Sequence, residues 1–431
     1  MKHKKEKVQH HIVSLSRNKQ FIILSLFPAY FLFLGLLIQP FRKLLAGFGK
    51  IITEPDLLIT DYVALGGPGA ALVNAGLLTL VCILIIYLLK MEITGATVTS
   101  VFLMMGFSLF GKNIVNIWAI LAGVYLYSVY HKEHMSKYIY IGFYGTSLSP
   151  VITQIVLSSR LPAFWNIAAG ILICMIMGFV LPPLATHLYY THKGYCLYNV
   201  GFAAGIIAAI ATSLFKSYGI GFVTRTLWSS GNNTLFTELL LGFFLILIIL
   251  GFITEHHIME KYLDILKHPG IAGTDYIVEE GLGATLFNMG INGILATVFV
   301  IAVGADLNGP TIGGIFTIVG FSATGKHIRN IAPVIAGVWL ASLTKMWDIT
   351  DPGAILAALF STTLAPIAGK FGIVCGLIAG FLHSSVAQSV GVICGGMNLY
   401  NNGFAGGIVA AFLVPVIHSI ESRRARAREI I

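Results

Sequence analysis

Apolar positions along this chain come in long runs, not in alternation with polar ones. Windows 20–39, 69–89, 162–182, 235–254 and 371–390 each hold at most one acidic or basic side chain. A helix of about 20 residues, rising 1.5 Å per residue, covers the roughly 30 Å of hydrocarbon in a bilayer. Shorter apolar stretches lie between these windows. The first half holds about seven segments, near 20–40, 65–89, 95–110, 113–130, 138–157, 162–182 and 197–215. The second half answers with 235–254, 281–303, 309–324, 328–345, 353–369, 371–390 and 400–418. This pattern predicts an all-α integral membrane protein. A membrane barrel would show segments of about 10 residues alternating in polarity, and these do not alternate.

The polar letters that interrupt the apolar runs are written twice. LYNVGFAAGI (197–206) and LYNNGFAGGI (399–408) agree at eight of ten positions. DYVALGGPGAALVNAG (61–76) and DYIVEEGLGATLFNMG (275–290) agree at eight of sixteen, and GFSLFGKNIVNIWAILAGV (106–124) and GFSATGKHIRNIAPVIAGV (320–338) at eleven of nineteen. GTSLSP (145–150) answers STTLAP (361–366). Chance likeness between Leu-rich helices would not keep Asp, Lys, Asn and Gly in register, so the chain is an internal duplication. Its period is far beyond the 20–50 residues of a solenoid. It fits the two-repeat build of transporters, whose sites lie between the repeats. The expected organisation is a basic tail (1–19), repeat 1 (20–216), a connection (217–234), repeat 2 (235–420) and a second basic tail (421–431).

Composition agrees with the membrane reading. Only 10% of residues are charged and the mean hydropathy is +0.85, against about 25% charged in soluble domains. The net charge of +9 needs no nucleic-acid partner, because ten of the 27 basic residues sit in the two terminal tails. Lys and Arg near membrane segments stay cytoplasmic, so both termini are expected there. The N-terminal basic run and 20–39 are expected to form a retained first helix, not a cleaved signal peptide. With seven crossings per half the repeats are inverted, and 19 of the 27 basic residues then share the side of the N-terminus. If 95–110 is re-entrant, each half crosses six times and the repeats are parallel. The charge bias favours inversion.

In hydrocarbon every backbone N–H and C=O needs a partner, so broken or re-entrant helices occur only where protein or water receives them. Four breaks recur. Asn74 and Asn288 follow Gly-rich helix starts and are expected either to bond a neighbouring helix or to contact solute. Lys112 and Lys326 sit between two short apolar segments near helix N-termini, with Asn116 and Asn330 four residues on. A snorkelling interfacial lysine is the plain alternative; a lysine deep in the membrane is a functional candidate. Pro150 and Pro366 break helices beside Thr146, Ser147, Thr362 and Thr363, whose hydroxyls either re-satisfy the freed backbone or hold a coupling ion. Tyr198-Asn199 and Tyr400-Asn401 precede Gly-rich helices, as helix caps or as a site wall.

Asp61 and Asp275 recur and are expected to cap helices. Glu279 and Glu280 face Leu65 and Gly66 in the first repeat; that asymmetry makes them candidates for proton or sodium coupling, or a loop. Asp306 is the other carboxylate near the membrane. The five cysteines form no close pair, so neither disulfides nor a metal site is expected. No phosphate loop, nucleophile elbow or H-E-x-x-H is present. His187 and His192 are off the i, i+4 spacing, and His256-His257 reads as loop. The chain is not expected to be an enzyme, and no cofactor is expected.

At GYCLYNVGFAAG, GGPGAALVNAG and GFSLFGKNIVNIW the chain resembles an uncharacterised family of bacterial polytopic membrane proteins, over about residues 20–420. The resemblance implies a bacterial inner-membrane protein and supplies no substrate. A fainter likeness is to urea transporters, duplicated channels with a Gly-Tyr-Asn-Gly phrase that Gly194 to Gly205 echo; their paired L-P-x-x-T-x-P-F signature is missing here. The expectation is a secondary transporter for a small polar solute of anionic character, coupled to sodium or protons. Lys112, Lys326 and the paired asparagines would face a midplane site. Its partners would be the bilayer, the solute, and a second copy of itself should it oligomerise. The alternatives are a passive channel for a small neutral solute and a non-transporting scaffold or sensor.

Overall fold

A computed structural model describes residues 16–57, 59–158, 162–222 and 224–429; most of the N-terminal basic tail lies outside the described residues. The first repeat runs α1 (Arg17–Ile38), α2 (Phe41–Thr53), β1 (Ile59–Thr60), α3 (Tyr62–Gly66), α4 (Pro68–Leu88), α5 (Gly95–Phe107), α6 (Trp118–Tyr130), α7 (Ile139–Gly145), α8 (Pro150–Ser158), α9 (Ala163–His192) and α10 (Asn199–Ser217). After β2 (Thr226–Leu227), the second runs α11 (Asn233–Thr254), α12 (Ile258–Ile265), α13 (Tyr276–Glu279), α14 (Leu282–Ala302), α15 (Gly309–Phe321), α16 (Ile328–Ser342), α17 (Pro352–Phe360), α18 (Ala365–Phe371), α19 (Ile373–Ile393) and α20 (Asn401–Glu429). The helices correspond one for one. The second basic segment continues α20 as helix to Glu429.

Nine helical stretches among the described residues are long and apolar enough to span a bilayer. Their outward faces are apolar: on α1, Ile22, Phe33 and Leu37 are more than 60% exposed while Phe31 is wholly buried. Such a belt on helices of spanning length suits the hydrocarbon of a bilayer. The apolar stretches at 95–110, 113–130, 309–324 and 328–345 form shorter helices of 13 to 15 residues, which rise only about 20 Å. All of α15, and all of α5 except Ala96, is buried. Protein, not lipid, surrounds these two. The segments at 138–157 and 353–369 break where predicted, at 3-10 turns Thr146–Leu148 and Ser361–Leu364.

The two repeats interlock. Helices α5 and α15 lie against each other through glycines: a Cβ on Gly106 would come 3.0 Å from the Gly313 carbonyl, and one on Gly320 3.0 Å from Thr99 O. They run antiparallel, since Gly95 begins α5 beside Ala323, just past α15, and Gly309 begins α15 beside Leu109, just past α5. Asp61 and Asp275 cap helices as expected, and each also reaches the opposite repeat. Asp61 accepts from Val63 N (2.9 Å) and Gly309 N (3.1 Å). Asp275 accepts from Ile277 N (3.0 Å) and, with both oxygens, from Gly95 N (2.9 and 3.0 Å). Each aspartate therefore satisfies free N–H groups at two helix starts.

Helices α10 and α20 meet at their N-terminal ends, where a Cβ on Gly201 would sit 3.2 Å from the Gly403 Cα. The connection between repeats folds back on the first one. β2 pairs in parallel with β1, Ile59 opposite Thr226, and Ser229 donates to Asp61 through its backbone N (2.9 Å) and its hydroxyl (2.5 Å).

Candidate functional site

After α5 and α15 the chain leaves helical geometry for a few residues, and side chains take up the freed backbone groups. Asn74 donates to the carbonyls of Ser108 (2.7 Å) and Lys112 (2.9 Å). Asn288 does the same at Ser322 and Lys326, both 2.8 Å. Asn116 bonds Gly111 O (3.0 Å) and accepts from Asn113 N (3.0 Å), while Asn330 bonds Gly325 O (2.8 Å) and accepts from His327 N (3.0 Å). Gly111 has φ +84°, and a Cβ there would strike Leu399 at 2.5 Å, so the turn ahead of Lys112 requires glycine. These four asparagines hold the lysine loops and do not line the cavity described below.

The loops turn both lysines inward, with no exposed surface on either. Neither is a snorkelling interfacial residue. Lys112 Nζ donates to the Tyr400 hydroxyl (2.9 Å), to Phe143 O (3.1 Å) and to Met104 Sδ (3.6 Å). Lys326 Nζ donates to the Tyr198 hydroxyl and to Thr362 Oγ1 (2.8 Å). Each lysine thus meets the tyrosine of the other repeat. Among the described residues no carboxylate lies within ion-pair distance of either ammonium.

The helix breaks bind the tyrosine segments by the same exchange. Leu399 N donates to Ser147 O and Leu197 N to Thr363 O, both 3.0 Å. Thr363 Oγ1 also accepts from Tyr198 N (3.0 Å). Thr146 and Thr362 donate to the carbonyls three residues back, at 2.6 and 2.7 Å, the way Thr re-satisfies a broken helix.

Where the repeats cross lies a cavity of about 150 Å³. Its walls come in pairs, one residue from each repeat: Phe107 and Phe321, Leu197 and Leu399, Tyr198 and Tyr400, with Gly201 and Gly403 at the crossing. Leu103 corresponds in register to Thr317 and Tyr144 to Phe360, and the rest of the lining includes Asn199 and Asn402. The asparagines here are steadied by histidines. His192 Nε2 donates to Asn199 Oδ1 (2.9 Å) and His383 Nε2 to Asn402 Oδ1 (3.1 Å). Asn402, not Asn401, lines the cavity in the second repeat; the register of the repeated phrase pointed one residue too early. The paired phenylalanines sat inside the quoted repeats, but an apolar letter within an apolar helix carries no signal of its own.

Glu279 and Glu280 are not brought to the lysines. They sit at the partly exposed end of α13, where His268 meets Glu280 at 2.9 Å and Glu279 at 3.4 Å. A buried acid that sequence reading missed, Asp56, lies between α2 and β1. It accepts from Tyr62 Oη and Asn116 Nδ2, both 2.9 Å, and from Asn113 Nδ2 at 3.4 Å. Burial pushes its carboxyl up to about 7, against the opposite pull of the Tyr62 and Asn116 hydrogen bonds and of the Arg225 charge. It lies in a loop of unremarkable composition, and no repeat partner marked it. Among the described residues no three His, Cys, Asp or Glu side chains gather as a metal site, and the five cysteines are free.

Two interlocked helical repeats, a lipid-facing apolar belt and one cavity at their crossing define a duplicated multi-pass membrane protein. Over residues 41–217 and 254–419, well over half its length, the chain matches the family described as "Protein of unknown function (DUF1576)", and it belongs to that family. Searches of curated proteins and of solved structures find no match.

Proposed function

We propose that the protein is a secondary transporter that moves a small solute through the cavity at the crossing of its repeats. The observation that carries this reading is the exchange of site parts. Each lysine is completed by the tyrosine of the other repeat, so any rocking of one repeat against the other remakes the site. Sites at the interface of duplicated repeats are the general arrangement in such carriers. The antiparallel run of α5 and α15 supports inverted repeats with both termini on one side; the basic tails favour the cytoplasmic side of a bacterial inner membrane. Sodium or protons would drive the movement.

Reconstitution tests this. Purified protein in liposomes should carry one or more small solutes with saturable kinetics that collapse when the ion gradient is dissipated. Filling the crossing with Gly403→Leu should stop the flux. Non-saturating flux that survives loss of the gradient would replace the carrier with a channel. Vesicles no leakier than protein-free ones, across a broad panel of small solutes, would leave only a scaffold.

A further inference from the structure

The two lysines pose a problem of charge. A wholly buried ammonium surrounded by neutral acceptors costs several kcal/mol relative to one with a counter-charge, and intramembrane ionisable groups pair with something. The described residues supply no anion for either. The chain nonetheless holds both lysines in place through four asparagines and, ahead of Lys112, the glycine turn at Gly111.

The tyrosines relay this charge to the cavity. A phenol hydroxyl that accepts from an ammonium keeps its own proton to donate. The Tyr400 hydroxyl bonds only Lys112 among the described residues, and the Tyr198 hydroxyl meets Lys326 and, at 3.5 Å, Thr362. Both tyrosines line the cavity. Two donors backed by positive charge from opposite repeats suit an acceptor with two oxygens and a negative charge. Apart from Tyr144, Thr317, Asn199 and Asn402, the remaining side chains of the wall are different: Leu103, Phe107, Leu197, Phe321, Phe360 and Leu399 offer only hydrocarbon. Such a wall rejects a strongly hydrated inorganic ion and accepts a short apolar body. An apolar cavity of about 150 Å³ holds a molecule the size of benzene, with six heavy atoms. A dicarboxylate with any hydrocarbon between its ends exceeds that.

We infer that the cavity receives one small organic monocarboxylate, its carboxylate bonded by the Tyr198 and Tyr400 hydroxyls and its apolar body among the paired phenylalanines and leucines. The inference deepens the transport reading and rests on it for the purpose of the cavity. Because the charged lysines and the bound anion stabilise each other, each favours the other's presence.

The test is equilibrium binding to the full-length protein in lipid nanodiscs, by titration calorimetry, with butyrate, butyramide and succinate. Butyrate should bind at least tenfold more tightly than its neutral isostere butyramide and than succinate. Tyr198→Phe and Tyr400→Phe should each weaken butyrate at least tenfold and leave butyramide within twofold. Should either variant fail to fold, Leu103→Phe gives a second readout: it should cost butyrate at least tenfold and spare acetate. Butyramide or succinate equal to butyrate, butyrate affinity intact in the tyrosine-to-phenylalanine variants, butyrate unaffected by Leu103→Phe, or no butyrate binding would each overturn the assignment. The two readings fail separately. Butyrate bound but not moved in vesicles removes the transport reading alone, and saturable movement of a neutral solute without butyrate binding removes the carboxylate alone.

Discussion

The loop that carries Lys112 continues into Asn113, whose amide bonds Ile51 O at 3.2 Å and reaches Asp56 at 3.4 Å. At the same register the loop that carries Lys326 continues into His327, whose Nε2 donates to His268 O at 2.9 Å. Behind the first loop Asn74 holds two carbonyls with Leu78 one turn on. Behind the second, Asn288 is joined by Asn292, which donates to Ser322 Oγ at 2.7 Å. Tyr62 bonds Asp56, whereas the corresponding Tyr276 hydroxyl is buried with no hydrogen-bond partner among the described residues. Groups that touch the opposite repeat have stayed alike: lysine with tyrosine, aspartate with glycine N–H, glycine against glycine. Several groups that face only their own repeat have drifted, although Asn74 with Asn288 and Asn116 with Asn330 keep the same bonds. The bonds that close the crossing are constrained from both sides at once, whereas the outer turns around Asp56 and Asn292 are free to differ.

The sharpest way to break this comparison is to remove one lysine at a time. Lys112→Met and Lys326→Met should each lower solute uptake into vesicles at least a hundredfold, with both variants still monodisperse. Full activity in one and none in the other would show that the symmetry of the crossing is structural only.

The next test sets Asp56 against the second repeat, which has Gly270 at that register. Its folded carboxyl titrates near 7, well above the ordinary value of 3.8. The neutral acid therefore suits the fold. Its stabilising contribution is complete below about pH 4 and is lost as pH rises through about 7, up to roughly 4 kcal/mol at 1.36 kcal/mol per pKa unit. Thermal unfolding in detergent should show that decline, and Asp56→Asn should flatten it. A slope unchanged in the variant would place its origin elsewhere.

Smaller effects compare the asparagines. Asn74→Leu strands two buried carbonyls and should cost about 2–6 kcal/mol, at 1–3 for each unsatisfied group. Asn288→Leu should cost about half as much, because Asn292 is 3.4 Å from Lys326 O and can take it over. Equal losses in melting temperature would show that Asn292 gives no cover. Smallest is the pair of cross-repeat caps. Asp61→Ala should cost about 1–2 kcal/mol and Asp275→Ala about 1, since Asp61 also holds Ser229.

Much of the crossing was legible in the letters. Lys112, Lys326, Tyr198, Tyr400, Asp61 and Asp275 stand out because polar residues retained in register inside apolar helices need a reason. The partners were not legible. Nothing local says that Lys112 meets Tyr400, 288 residues away, and not Tyr198 of its own repeat; that choice is made by how α5 and α15 pack. The roles of Asn74, Asn116, Asn288 and Asn330 were hidden likewise, because an amide that braces a loop and one that contacts a solute are written with the same letter. The stretch at 113–117 read as the start of a helix. Asn113 and Asn116 bond backbone there, and α6 starts only at Trp118.

The reciprocal caps of Asp61 on Gly309 and Asp275 on Gly95 carry a historical consequence. A lone repeat would leave an aspartate without its second helix and a helix without its aspartate. An ancestral gene encoding one copy would have closed those bonds only by pairing two identical polypeptides. Joining the copies end to end released them from identity, and Leu78 opposite Asn292 is a difference that no homodimer could have kept.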